Sequence, residues 1–288
     1  MLPPDRLAPE GMAIGLVRCT GCGTLETVPP DDPAVPVQAD SKYLPHEHPT
    51  GVKGWLTRMS QRRKVSLTLP WSTDGTVVDL GCGSGGFLEA WLGFRPEATA
   101  IGLETAPEAL EIIRRRGVDV IEGELDDGLP GSLHGASLYT LWHVLEHLDD
   151  PAATLRAIVK VIAPSGRIVV AVPNASGFER SLFGNRTIAW DVPRHRWHFT
   201  PEGLSALARI TGLRVLDRFN LFSDDVYDAV GSLQGILYPA SWVRTGDPRS
   251  TLATGLALIG GVPAGILLAA LNPWRLRASL GVILTPDN

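Results

Sequence analysis

The stretch VVDLGCGSGGFL, residues 77–88, constrains the fold of this chain more than any other. Two valines and a leucine make a short buried strand. Glycines follow at positions 81, 83, 85 and 86, and then a helical run. Gly81 and Gly83 supply positive φ and let backbone approach a ligand, and Gly85 lets the next helix start tight against it. A strand, a glycine turn and a helix in that order open an α/β sheet, whose ligands bind where strand order reverses, beyond the carboxyl ends of the strands. The rest of the chain continues the alternation. Strands are expected over 76–80, 98–103, 118–121, 137–143, 167–172 and 214–219, with 281–284 a candidate seventh. Helices are expected over 54–69, from 86, over 105–116, over 150–162 and from 200 to Gly212. Thr105 with Pro107 and Glu108 reads as a capping box, and Asp150–Pro151 and Thr200–Pro201 read as further helix starts. The expected fold is α/β, a doubly wound and mostly parallel seven-stranded sheet.

Composition sets the outer limits. The 288 residues are 44% hydrophobic and 20% charged, which is globular, and the net charge of −5 offers nucleic acid no strong field. Three cysteines build no disulfide framework, and Cys82 sits inside the glycine loop, so a reducing, cytoplasmic setting is expected. The N-terminus has no basic segment leading into an apolar core, so no signal peptide is expected. Three regions are expected: an irregular extension over 1–53, rich in proline and aspartate and carrying one Cys19–Cys22 pair; a core over 54–220; and a helical apolar region over 221–288 with the final strand. Residues 251–274 carry no charge and are followed by Arg275 and Arg277. A spanning helix, a buried helical hairpin and a segment lying on a membrane are all open, and peripheral membrane contact through 251–274 is the partner expected of this region.

The acidic residues around the loop choose its ligand. A carboxylate at Asp79 disfavours a pyrophosphate beside the helix start and favours a ligand with an ammonium and a sulfonium. S-adenosylmethionine has both and no phosphate. Glu104, about 20 residues after the loop begins, can accept both hydroxyls of a ribose, as it would in a nicotinamide dinucleotide site. Glu124 can accept from an adenine amino group, and Leu125 can cover the ring. Thr105 lies beside Glu104 and is counted with the cofactor residues.

These residues resemble the class I S-adenosylmethionine-dependent methyltransferases. VVDLGCGSGGFL is similar to their first motif, LYTLWHVLEHLDDP to their fourth strand and its exit, and VIAPSGRIVVAVPN to their fifth strand. WDVPRHRWHFTPEGL narrows the likeness to a bacterial branch similar to ubiquinone-type O-methyltransferases and sugar or natural-product methyltransferases. The resemblance covers roughly residues 70–220 and is specific for the cofactor. Trp142, in the second segment, joins the cofactor candidates. Two departures stand out. Ala136 and Ser137 replace the usual aspartate before the fourth strand, and one CxxC pair stands where such chains often carry two. Cys19 and Cys22 leave zinc two ligands short, and His46 and His48 are candidates to complete it. Related enzymes use a Glu-x-x-Glu-His pattern for a divalent cation where this chain has His143, Glu146 and His147, spaced for one helical turn. No metal is expected at either place.

For methyl transfer to a hydroxyl, a general base helps. His195 is the first candidate and His143 the second. Trp190, Trp197 and Phe199, interleaved with Arg194 and Arg196, read either as an aromatic and cationic wall or as the packed core of a lid, and 174–190 as the lid. The expected function is transfer of a methyl group to a small or lipid-linked acceptor at oxygen. The alternatives are a non-catalytic binder of the same cofactor and, against the charge of Asp79, a nicotinamide-dependent oxidoreductase.

Overall fold

A computed structural model describes residues 15–28, 51–72, 75–125, 128–184, 187–192, 194–237, 248–271 and 273–287. In chain order the strands are β1 (Gly15–Arg18), β2 (Leu25–Val28), β3 (Val77–Leu80), β4 (Ala100–Glu104), β5 (Asp119–Glu122), β6 (Leu138–Trp142), β7 (Arg167–Pro173), β8 (Trp197–His198), β9 (Leu213–Phe219) and β10 (Ser279–Pro286). The helices are α1 (Gly51–Thr68), α2 (Gly86–Phe94), α3 (Pro107–Arg115), α4 (Pro151–Val161), α5 (Phe178–Phe183), α6 (Pro201–Ile210), α7 (Phe222–Leu237) and α8 (Pro248–Leu271). They divide into two compact units that interleave along the chain, unlike the linear division expected from the sequence. One comprises Lys42–Val172, Ser205–Phe219 and Gly281–Asn288; the other comprises Met1–Ser41, Pro173–Leu204 and Asn220–Leu280.

The first unit is built on a seven-stranded sheet ordered β5-β4-β3-β6-β7-β10-β9. The pairs β3–β4, β3–β6, β4–β5 and β6–β7 are parallel, and β10 runs antiparallel to β9. Every residue of β3 and β6 is buried, as expected of central parallel strands covered on both faces. The chain leaves β3 for β4 and β5 on one side, then returns to β6 and β7 on the other. Strand order therefore reverses between β3 and β6, and their carboxyl ends are where a ligand binds. The expected seventh strand is present and longer than the GVIL segment. Asp150 caps α4, its carboxylate accepting from Ala152 and Ala153 N–H at 2.9 Å. Thr105 does not cap α3. The N-cap is Ala106, with no side-chain cap. Glu104 accepts from the Thr105 and Ala106 N–H groups at 2.9 and 3.0 Å, just ahead of the helix's first turn.

The second unit carries a three-stranded sheet ordered β1-β2-β8. The N-terminal region is therefore not wholly irregular. β1 and β2 form an antiparallel hairpin whose turn holds Cys19 and Cys22, closed by Cys19 N–H to Thr24 O at 2.8 Å and Gly23 N–H to Cys19 O at 2.9 Å. In the same unit α7 packs along α8 as a helical hairpin. Among the described residues, no helix is long and apolar enough to cross a membrane.

Candidate active site

The glycine turn after β3 has the backbone that its composition demands. Gly81, Gly83 and Gly85 have φ of 67°, 54° and 73°, a region costly for any residue with a Cβ. Close packing excludes a side chain as well. A Cβ on Gly81 would lie 2.8 Å from Val144 Cγ2, and one on Gly85 would lie 2.4 Å from Ile113 Cγ1. Gly85 is the N-cap of α2 and offers no side chain to its free N–H groups. The helix start thus keeps its donors for something else. Cys82 lies beside Gly102, where a Cβ would fall 2.4 Å from its sulfur. Burial pushes the Cys82 thiol well above its ordinary value, so it is a packing group rather than a nucleophile.

Asp79 is 2% exposed, in the middle of β3. In register it faces Thr140 on β6, whose hydroxyl donates to Asp79 Oδ1 at 2.6 Å. Burial raises its carboxyl to about 7, opposed by the Thr140 hydrogen bond and the charge of Lys64. Asp79 is thus no open anion at neutral pH. It is a desolvated carboxyl whose ionised form needs a cation, and an arriving ammonium supplies one. Glu104, at the end of β4, is tied to the glycine loop by Gly83 N–H at 2.7 Å. With the two bonds from Thr105 and Ala106 it uses three of about four acceptor positions. One position remains for a ribose hydroxyl. A buried carboxyl, an open helix start and a carboxylate with one acceptor position left together fit S-adenosylmethionine. The same cradle puts a buried acid where a pyrophosphate would bring further negative charge.

The remaining cofactor candidates lie nearby in sequence but differ in setting. Glu124 and Leu125 follow β5, the neighbour of β4; Glu124 is exposed and Leu125 half-buried. Thr105 is exposed and enters only through its backbone. Trp142 is 8% exposed and lies among aromatics, with ring centroids 5.4 Å from Phe87 and 6.0 Å from Phe219. Lys64 Nζ sits 4.9 Å from its centroid. Thr140 and Lys64, the groups that tune Asp79, were not foreseen. Thr140 could have been found by aligning the two central strands in register.

His143 leaves β6 with φ 58°, one of two described non-glycine residues with positive φ. Backbone strain in such a residue is concentrated at functional places. Its Nδ1 lies 3.3 Å from Glu146 Oε1, and Glu146 is completely buried. The expected helical turn over 143–147 is absent. The segment is a bend followed by a single turn, closed by His147 N–H to Val144 O at 3.0 Å. His143 and Glu146 nonetheless meet, while Val144 between them packs on Gly81.

His195 belongs to the other unit. It is 8% exposed, with Nδ1 3.1 Å from Ala189 O and Nε2 3.5 Å from Asp191 Oδ2. Arg194 is paired with Asp191. The cation over the Trp190 ring is Arg180, at 3.9 Å, and Phe199 is buried, so the expected wall is partly core. Arg180 itself was not foreseen. It is 7% exposed, with Nε donating to Asn174 O at 2.9 Å. Burial raises the nearby Glu179 and Asp228 carboxyls to about 7. Asp225 accepts from Arg277 Nε at 2.8 Å. Cys19 lies below its ordinary value because the backbone N–H groups of Cys22 and Gly21 and the Cys22 thiol stabilise its thiolate. His46 and His48 lie outside the described residues.

The model of a methyltransferase domain matches residues 49–218. The ubiquinone biosynthesis O-methyltransferase of Xanthomonas oryzae pv. oryzae (strain PXO99A) is 29% identical over 153 residues, covering 49% of this chain and 63% of the relative. That of Xanthomonas euvesicatoria pv. vesicatoria (strain 85-10) is 31% identical over 157 residues, with the same coverage. The chain thus spans somewhat less than two thirds of the length of these relatives. Among solved structures, coclaurine N-methyltransferase bound to N-methylheliamine and SAH aligns with a TM-score of 0.54 at 14% identity, covering 78% of this chain and 70% of that one. The [4+2]-cyclase SpnF aligns with a TM-score of 0.50 at 17% identity, over 79% of this chain and 81% of that one. These two show the fold alone. With the sheet order, the glycine cradle and the two acids already in place, the family match establishes that this chain belongs to the class I S-adenosylmethionine-dependent methyltransferases.

Proposed function

We propose that the chain transfers a methyl group to oxygen on a small or lipid-linked acceptor, with His143 as the general base. The observation that carries this reading is the His143–Glu146 pair, held one residue from the Val144 side chain that packs on Gly81. S-adenosylmethionine, when bound, supplies a methyl group on a sulfonium leaving group. The chain's task is to orient and to take a proton. The buried Glu146 side chain, 3.3 Å from Nδ1, orients the imidazole, which takes up the hydroxyl proton as the oxygen attacks. His195 remains a second candidate, with both ring nitrogens near oxygens of its own loop. Fold alone does not decide the reaction, since SpnF shares it and is named a cyclase. The oxygen preference is supported by the O-methyltransferase relatives. The apolar segment 251–274, on a hairpin with exposed aliphatic side chains, supports peripheral membrane contact and hence a lipid-linked acceptor.

The test is S-adenosylhomocysteine release by the purified chain with a panel of phenols, quinols, lipid-linked hydroxyl compounds and amines. Turnover on hydroxyl acceptors that falls in Glu146→Gln supports the reading. Turnover on amines alone overturns the oxygen assignment. Cofactor binding without turnover on any acceptor leaves a non-catalytic binder.

A further inference from the structure

The α7–α8 hairpin is packed inside out for a protein surrounded by water. On α8 the residues turned toward α7 are Ala257, Gly261, Gly265 and Ala269, a buried stripe at four-residue spacing. The approach is backbone to backbone. A Cβ on Gly261 would lie 2.6 Å from Val230 Cα, and one on Gly265 would lie 2.6 Å from Val226 Cα. The large aliphatic side chains point the other way. Leu256, Leu258, Ile259, Ile266 and Leu267 are between 47% and 74% exposed. A helix pair assembled by the hydrophobic effect buries leucine and isoleucine and leaves alanine and glycine outside. Helices assembled in hydrocarbon do the reverse, because only close backbone packing distinguishes a neighbouring helix from lipid.

Charge is arranged to match. No ionisable residue occurs from Ser250 to Trp274; Arg244, Asp247 and Arg249 precede this stretch, and Arg275 and Arg277 follow it, paired with Glu202 and Asp225. Of the three acids of α7, Asp224 is half-buried. Asp225 and Asp228 are buried, and Tyr227 is 73% exposed. Arginines and tryptophans bordering a charge-free helix complement anionic headgroups above an acyl layer. Among the described residues, no helix is long and apolar enough to cross a membrane. We propose that this hairpin sets the outer face of α8 into the acyl region of one bilayer leaflet, without spanning it. The inference deepens the reading of a peripheral membrane contact and rests on it.

The experiment uses the full chain. Flotation with vesicles of phosphatidylcholine and phosphatidylglycerol tests the contact itself, and a solvent-sensitive fluorophore on Ile259→Cys tests insertion. The expected results are co-flotation, a label response of an acyl environment, and loss of co-flotation by about tenfold in Ile259→Glu/Leu267→Glu. S-adenosylhomocysteine binding unchanged in that variant shows that it is folded. Co-flotation with a water-exposed label overturns insertion and leaves a surface contact. No co-flotation overturns both. A lipid-free dimer that the double variant converts to monomer, with no vesicle capture, assigns the face to a second copy of this chain and overturns the proposal.

Discussion

Replacing Asp79 by asparagine separates what the carboxyl does for the cofactor from what it costs the fold. A carboxyl that titrates at about 7 instead of its ordinary 3.8 is held protonated by burial. In the pH range between those values the folded chain binds more protons than the unfolded chain, so stability falls as pH rises through it. At about 1.4 kcal/mol per pH unit, the penalty from this one group reaches roughly 4 kcal/mol by pH 8 and roughly 2 kcal/mol at pH 5.5. Asparagine keeps an oxygen for the Thr140 hydroxyl and carries no charge. Asp79→Asn should therefore raise the melting temperature of the cofactor-free chain by roughly 10 °C at pH 8 and about half that at pH 5.5. Glu179 and Asp228 give the wild type and the variant the same background slope, so the difference between the two melting curves isolates position 79. Cofactor affinity should move the other way, by about 10- to 100-fold, the range of a hydrogen bond to a charged group. Scanning calorimetry across pH with titration of S-adenosylhomocysteine measures both. A variant that is less stable at pH 8, or that binds the cofactor product as tightly as the wild type, refutes the reasoning.

Glu104→Gln should weaken nucleoside binding by about tenfold or more, because its amide can accept fewer of the three N–H groups and offers the ribose a weaker partner; isothermal titration checks this. Gly85→Ala should cost the fold about 2 kcal/mol or more, since a Cβ there meets Ile113 at 2.4 Å on a backbone with φ 73°; chemical denaturation reads it. Glu146→Gln should lower turnover by about 100-fold with cofactor affinity unchanged, as expected when only the orientation of a base is lost; the comparison is between steady-state rates and binding.

Legibility in the sequence followed the range of the forces involved. The glycine turn was fully readable, because positive φ at 81, 83 and 85 is a local backbone requirement that only certain residues meet. The strand order could be inferred only as a class. The capping box at Thr105 failed because the helix has Ala106, one residue later, as its N-cap. β1 and β2 were missed because each has four residues and their turn holds the Cys19–Cys22 pair, weighed only as zinc ligands. The burial that raises the Asp79 carboxyl to about 7 was not legible. Protonation depends on burial between neighbouring strands, which is tertiary. His143 and Glu146 were paired by spacing alone, and the pairing held although the helix did not. The buried Arg180, Glu179 and Asp228 had no sequence signal, since α5 and α7 lie far apart along the chain.

The central claim is that the turn after β3 receives a nucleoside with a cationic amino-acid end. Isothermal titration of the full chain with S-adenosylmethionine, S-adenosylhomocysteine and oxidised nicotinamide adenine dinucleotide tests it most directly. The account requires saturable binding of the first two, with proton release near pH 7 as Asp79 ionises, and no heat from the dinucleotide. Saturable dinucleotide binding with no heat from either adenosyl compound would contradict it.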